Sequence, residues 1–328
     1  MKAIKILTMA ALATAVFASC SSEDELAQSN YPADNVVRIM TSVDGMNTRA
    51  SYGNSADKLK SFGFCIKNAN SEKYTYDNIK VSQKGYNWIP ATQMLWQNST
   101  TAVDILAYAP YQETTEDANG KVKVFGKTDY AFSVKEDQSN AEDYSSDLIV
   151  FKQTGFTPVS ELNTSKAVEV AFTHLLSQLN LIIELRDQFN TNNNTVTKGF
   201  VTDVKVNGTI ISSKVDFSAS PISVQVDGTQ AAAITPETTE FMPAENTTAH
   251  AVFNYSAIVI PQTVAAGNFS ISFKVDGTEY IWTATEAATF KSGKKYDLHL
   301  FVGKDVVQGG AISAKPWGKE TITEKETD

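Results

Sequence analysis

Ser270-Ile271-Ser272-Phe273-Lys274-Val275-Asp276-Gly277-Thr278-Glu279-Tyr280-Ile281-Trp282 is the stretch whose reading decides the fold. Small polar and charged residues alternate with Ile271, Phe273 and Val275, the period-2 pattern of a strand with one buried face. Asp276-Gly277 then supplies the two positive φ values that a two-residue hairpin turn requires, and the alternation resumes at Thr278. The same pattern recurs along the chain. Val37, Ile39, Thr41 and Val43 fall on one strand face. Val122 with Val124, and Phe132 with Val134, mark further short strands. Val201–Val206 reads as a strand ending at a second turn pair, Asn207-Gly208. Tyr296, Leu298, Leu300 and Val302 form another alternating face. The best helix candidate, Thr173–Leu179, is short and runs straight into the strand-like Asn180–Leu185. Many short strands with regular turns predict an all-β protein built of β-sandwiches, and 328 residues are enough for two.

Composition narrows the function classes. With 42% hydrophobic and 20% charged residues the chain has the mix of a folded protein, at a formal net charge of -9. That acidic balance argues against nucleic acid as a partner, since phosphate neutralisation needs a clustered Lys/Arg surplus. The arginines are Arg38, Arg49 and Arg186, the cysteines Cys20 and Cys65, and the histidines His174, His250 and His299. Two cysteines make neither a disulfide framework nor a cysteine-built zinc site. No nucleotide-loop, zinc-protease or serine-hydrolase motif is present, and no cofactor or enzyme activity is predicted. His174, among Phe172, Leu175 and Leu176, reads as a hydrogen-bonded structural histidine, and His299 as a surface residue of its strand. Cys65, between Phe64 and Ile66, reads as a buried free thiol. Glu136, Asp137, Glu142, Asp143 and Asp147 crowd one segment, but their spacing does not fit a helix-loop-helix calcium site, which favours a solvated loop.

The N-terminus reads as an address. Lys2 and Lys5 precede the apolar run Ile6–Ser19, which is too short to span a bilayer and has the layout of a secretory signal. Phe17-Ala18-Ser19-Cys20 resembles a bacterial lipobox, which would make Cys20 the acylated first residue of the mature chain and its anchor in the outer membrane. Ser21-Ser22-Glu23-Asp24-Glu25 follows as an acidic spacer and is similar to surface-export signals of some lipoproteins. The expected division is a signal peptide at 1–19, an acidic tether at 20–34, an N-terminal sandwich at 35–165 and a C-terminal sandwich with a polar tail at 166–328. The boundary is placed in the polar stretch Ser160–Lys166.

Several segments, in order, resemble the fimbrillin (FimA/Mfa-like) family of type V pilus lipoproteins. They are the lipobox at Cys20, Asn47-Thr48-Arg49-Ala50, Ser146-Asp147-Leu148-Ile149 and Val170–Leu179. Ala257–Thr263, Phe290–Tyr296 and Ile312–Trp317 complete the series. The resemblance implies two tandem transthyretin-like Greek-key β-sandwich domains and a structural or adhesive pilus subunit at the cell surface. It also implies a mechanism. An Arg-specific protease would cut between Arg49 and Ala50, and the strand bearing Val37, Ile39, Thr41 and Val43 would be displaced. A C-terminal strand of another pilin, in a homo- or hetero-polymer, would fill the groove. The candidate donor residues are Val306, Ile312 and Ala314. After Trp317 the tail offers only Ile322 as an apolar anchor, a departure from what a donor strand needs. The rival reading is a non-polymerising surface lipoprotein that binds glycan or host ligands through exposed aromatics such as Trp88, Trp96 and Tyr111.

Overall fold

The computed structural model describes residues 30–43, 58–113, 124–189, 196–244, 250–304, 306–310 and 312–317. In chain order the strands are β1 (Ile39–Val43), β2 (Ser61–Lys67), β3 (Tyr76–Lys84), β4 (Asn87–Pro90), β5 (Val103–Ala109), β6 (Tyr130–Ser133), β7 (Ile149–Phe156) and β8 (Val168–His174). Next come β9 (Ser177–Leu185), β10 (Val201–Thr209), β11 (Ser212–Asp216), β12 (Ser223–Val226), β13 (Ala232–Ile234), β14 (Glu237–Met242) and β15 (Ala251–Val259). The last are β16 (Gln262–Val264), β17 (Ser270–Val275), β18 (Thr278–Thr283), β19 (Ala288–Phe290), β20 (Lys294–Val302), β21 (Val307–Gly309) and β22 (Ser313–Pro316). Among the described residues, helix is limited to Pro158–Glu161 and three 3-10 turns. The protein is all-β.

The first sheet has seven strands in the order β1-β8-β7-β5-β2-β3-β4. Its central strands β2 and β5 are buried on both faces. Phe62, Phe64, Ile66, Ile105 and Phe172 fill one core, while Cys65, Leu106 and Tyr108 face a second core shared with the rest of the chain. Two-sided burial explains why Phe62–Ile66 is buried without interruption. Gly63 is forced by this packing, because a Cβ there would lie 2.2 Å from the Tyr108 ring. The second core is closed by a six-stranded sheet, β14-β15-β9-β20-β21, with β22 also on β20. Facing it are a four-stranded sheet, β13-β10-β17-β18, and the smaller sheets β12-β11-β6 and β16-β19.

The deciding hairpin forms as read. β17 and β18 pair from Ser270↔Thr283 to Val275↔Thr278, with Asp276 at φ 49° and Gly277 at φ 79°. Two other readings are corrected. Asn207-Gly208 is not a turn, because β10 runs through it to Thr209 and Asn207 pairs with Ser270. The positive φ of Gly208 serves a close approach instead: a Cβ there would sit 2.0 Å from the Asn268 carbonyl oxygen. Thr173–Leu179 is not a helix either. Its first two residues end β8, its last three open β9, and Leu175-Leu176 is the crossing between the two large sheets. The leucines cluster because the crossing is buried on all sides, which imitates a helical apolar face.

β8 pairs with β1 and β7, so residues 168–174 belong to the first sheet and the chain changes sheets at Leu175-Leu176. A division at 165/166 falls one strand before that change.

Candidate functional site: the N-terminal strand and the C-terminal clasp

The N-terminal segment holds two ends of the first sheet together. Residues 35–37 bridge to residues 94–96: the Val37 amide donates to the Met94 carbonyl at 3.0 Å and the Trp96 amide to the Asn35 carbonyl at 2.8 Å. Two residues later the chain becomes β1 and pairs in parallel with β8, from Ile39↔Val168 to Val43↔Phe172. Val37 and Ile39 are buried in the core that holds Met94, Trp96, Val170 and Phe172. Thr41 also points inward, and its hydroxyl is buried without a hydrogen-bond partner. Val43 closes the strand. β1 is therefore an edge strand on one side and a plug on the other, and its removal would leave an apolar slot lined by β8 and residues 94–96.

Cys20, Arg49 and Ala50 lie outside the described residues. The other two arginines are built into sheet structure. Arg38 pairs with Asp34 at 2.6 Å, and its carbonyl accepts from the Val168 amide at 2.8 Å. Arg186 covers the Phe301 ring at 4.5 Å, and its amide donates to the Val302 carbonyl at 2.9 Å. An arginine in a hydrogen-bonded strand or strand end is a poor protease substrate, because cleavage needs the backbone extended and free.

At the other end of the chain, β21 and β22 run antiparallel along β20, pairing with Leu300–Val302 and Lys294–Asp297. Of the candidate donor residues, Val306 and Ala314 are exposed and Ile312 is half-buried. All four residues of β22 are exposed. The segment is seated instead by Trp317, which is buried and stacks on the His174 ring at 3.9 Å and 7°.

His174 Nδ1 lies 2.9 Å from Asp147 Oδ1, and both side chains are fully buried. Lys295, also buried, lies beside this pair with its ammonium 5.9 Å from the Trp317 ring. Burial pushes its amine down to about 8, against the pull of Asp297 and Asp147. The crossing itself is clasped through its carbonyls and the neighbouring turn. The Gly293 amide donates to the Leu176 carbonyl at 2.9 Å, the Ser292 hydroxyl to the Leu175 carbonyl at 2.6 Å, and the Trp317 amide to the Gly293 carbonyl at 3.0 Å. Four of the segments that carry the family resemblance, at 146–149, 170–179, 290–296 and 312–317, thus meet at one buried junction. Sequence reasoning anticipated a bonded His174 but not its partners Asp147 and Trp317.

The remaining candidates separate. Cys65 is buried and bonded to Asp77, and burial pushes its thiol up. Glu184 bridges His250 and His299, so the His299 side chain is only partly at the surface. In the acidic segment, Asp143 pairs with Lys135 while Asp147 turns into the core, and no group of three or more His, Cys, Asp or Glu among the described residues is arranged to hold a metal. Trp96 is not an exposed aromatic: it is buried and stacked on Phe156 at 5.7 Å. Trp88 packs on Phe62 at 5.1 Å.

Fold and site together define a class: a multi-sheet β-sandwich protein whose first sheet is completed by its own N-terminal strand and whose last is completed by its own C-terminal one. A fimbrillin-like family model matches residues 48–317, and the chain belongs to that family. No curated protein matches the chain. Among solved structures it is similar to a candidate cell adhesion protein from Bacteroides ovatus, 14% identical over 88% of this chain and 100% of that one, at a TM-score of 0.60. A candidate cell adhesion protein from Bacteroides uniformis is 19% identical over 87% and 99% of the two chains, at 0.54. A fimbrial protein from Bacteroides vulgatus is 18% identical over 86% and 99%, at 0.52. At these identities the likeness speaks for the fold.

Proposed function

We propose that the protein is a structural or adhesive subunit of a cell-surface pilus, anchored in the outer membrane through an acylated Cys20 and assembled by strand exchange. The observation that carries this reading is the placement of β1. It plugs the first core and lies upstream of the family-matched residues, which begin at Thr48 and include Arg49. An Arg-specific protease cutting after Arg49 leaves β1 held by noncovalent contacts alone. A strand from a second subunit then competes for the slot, with ladder hydrogen bonds giving affinity and alternate side chains in pockets giving specificity. Contacts of this head-to-tail kind propagate into a filament. The chain's own C-terminal segment, with Val306, Ile312 and Ala314, is the candidate donor.

Burial of Val37 and Ile39 is worth roughly 1.5–3 kcal/mol each, so the cut alone does not expel the strand and assembly should lag behind it. The test is to treat the purified full chain with an Arg-specific protease. SDS-resistant ladders should appear after a delay, in subunits whose N-terminal residue is Ala50. Clean cleavage that leaves only monomers would refute strand exchange. Of the aromatics behind the glycan reading, Trp96 lies in the core, while Trp88 and Tyr111 are half-buried.

A further inference from the structure

We propose that the far end of the second sandwich carries a binding site for a neutral sugar residue, built where the tip of the β17–β18 hairpin meets the ends of β9 and β20.

The parallel strands β9 and β20 start beside the Leu175-Leu176 crossing and finish together at Leu185 and Val302. Beyond those ends, Gln188, Phe189, Phe200, Asp276, Tyr280 and Lys304 line a cavity of about 360 Å³. Small-molecule sites run from about 300 to 1,000 Å³, so this one suits a sugar residue rather than a long chain. Its place is also the usual one for a binding site on a sandwich, where a rigid scaffold holds the loops of one end together.

The cavity keeps its shape through its own hydrogen bonds. The Asp276 amide donates to the Phe200 carbonyl at 2.9 Å, the Tyr280 hydroxyl to the Lys304 carbonyl at 3.0 Å, and the Lys304 amide to Gln188 Oε1 at 2.8 Å. Four chain segments are thereby tied to one another, and little ordering remains to be done on binding.

The lining has two kinds of surface. Phe189 is buried and lies edge-on to Phe200 and to Tyr280, with centroids at 6.4 Å and 6.5 Å. Phe200 and Tyr280 are only half-buried, so apolar ring surface remains open at the cavity. A pyranose lays its C–H face on such rings and turns its hydroxyls to polar groups around them. Asp276, Lys304 and Gln188 are those groups. Asp276 and Lys304 carry opposite charges on one small cavity, yet among the described residues neither closes an ion pair, whereas the exposed pairs Lys214–Asp227 and Lys274–Asp203 close at 2.9 Å and 2.8 Å. A free carboxylate accepts from neighbouring hydroxyls, and an ammonium and a carboxamide N–H donate to others. The two lining charges cancel, which favours a neutral sugar over an acidic one.

Binding needs neither cleavage nor assembly, so it is read on the uncut full chain, and its failure leaves the strand-exchange reading untouched. The probes are the methyl glycosides of glucose, galactose, mannose, N-acetylglucosamine and sialic acid, followed by saturation-transfer NMR. At least one neutral glycoside should respond, and its affinity is then titrated against variants. Asp276→Asn removes the charge but keeps a residue that tolerates the φ of 49° at the turn. It should weaken binding about tenfold or more, as should Lys304→Met, and Tyr280→Leu should do the same by removing the ring. Should Tyr280→Leu unfold, the two exposed positions decide. No response from any neutral glycoside overturns the site. So does an affinity that Asp276→Asn and Lys304→Met both leave unchanged, because the sugar then sits elsewhere. A response from the sialic acid glycoside alone overturns the neutral class.

Discussion

The grip of β1 on its slot should tighten when Thr41 is replaced by valine. Thr41 turns inward between Ile39 and Val43, and its hydroxyl is buried with no hydrogen-bond partner. A buried unpaired hydroxyl costs about 1–3 kcal/mol relative to water, and Thr→Val exchanges it for a methyl of the same shape. Against it stand Val37 and Ile39, 3% and 6% exposed, which together contribute about 3–6 kcal/mol. The orphan hydroxyl is thus a sizeable fraction of what holds the strand. A gain of about 1–2 kcal/mol corresponds to local opening roughly 5- to 30-fold rarer. The assay is native-state amide exchange at Val168–Phe172, the residues that face β1. Those amides should slow by that factor in Thr41→Val while the β9–β15 ladder is unchanged, and Ile39→Ala should speed them. Exchange in Thr41→Val equal to or faster than wild type would show that the hydroxyl is satisfied and that the slot is not marginally filled.

Arg49→Ala should leave surface-located monomers that never enter filaments, and normal filaments from this variant, seen by electron microscopy, would exclude cleavage at this site as the trigger. Labelled palmitate should enter wild type but not Cys20→Ser; equal incorporation would remove the lipid anchor. Gly63→Ala should destabilise the fold by several kcal/mol in urea melts, because its Cβ would press the Tyr108 ring from 2.2 Å, and a loss under about 0.5 kcal/mol would contradict that packing. The seat of Trp317 beside Lys295 should tighten with alkali. Asp147, His174, Asp297 and Lys315 surround Lys295, whose amine burial depresses from 10.5 to about 8. Between those pH values the form with Lys295 buried binds fewer protons than one in which its amine is solvated. Raising the pH across the window therefore favours the buried seat, and below about 8 the dependence flattens. Acrylamide quenching of Trp317, taken as wild type minus Trp317→Phe, should fall from pH 8 to pH 10; a rise would reverse the assignment.

What was legible in the sequence was local. Alternation plus Asp276-Gly277 specifies a hairpin because partner and turn adjoin, and β17–β18 forms accordingly. Parallel pairings leave no such mark. β1 with β8 and β9 with β20 join residues more than 100 positions apart, and alternation says which face is buried but not against which strand. Burial on both faces erases alternation altogether, as at Phe62–Ile66 and in the Leu175-Leu176 crossing, where a run of leucines passed for a helix. Asn207-Gly208 misled for a related reason. The dipeptide does signal positive φ, but the backbone uses it for a close approach to Asn268 rather than for a reversal.

The site was less legible than the fold, because its residues are defined by partners far along the chain. His174 stood out among apolar neighbours, and Asp147, at the head of the apolar Leu148-Ile149-Val150, was the available hint of its partner; nothing local ties either to Trp317. The structure adds a second kind of signal. Buried polar groups in folded proteins are nearly always satisfied. Some exceptions here, such as Tyr130 and Thr209, lie around the second core, but Thr41, Trp96, His174 and Trp317 line the β1 slot and the seat of the C-terminal segment. These segments are well shaped for their sites yet poorly satisfied within them. A strand optimised for permanent residence would have lost the hydroxyl of Thr41, and a permanent C-terminal strand would bury more than one side chain. Under the proposed strand exchange, incomplete satisfaction at both ends would leave each strand docked but displaceable. That balance is what exchange between subunits requires, since a competitor needs to exceed only a modest grip to take the slot.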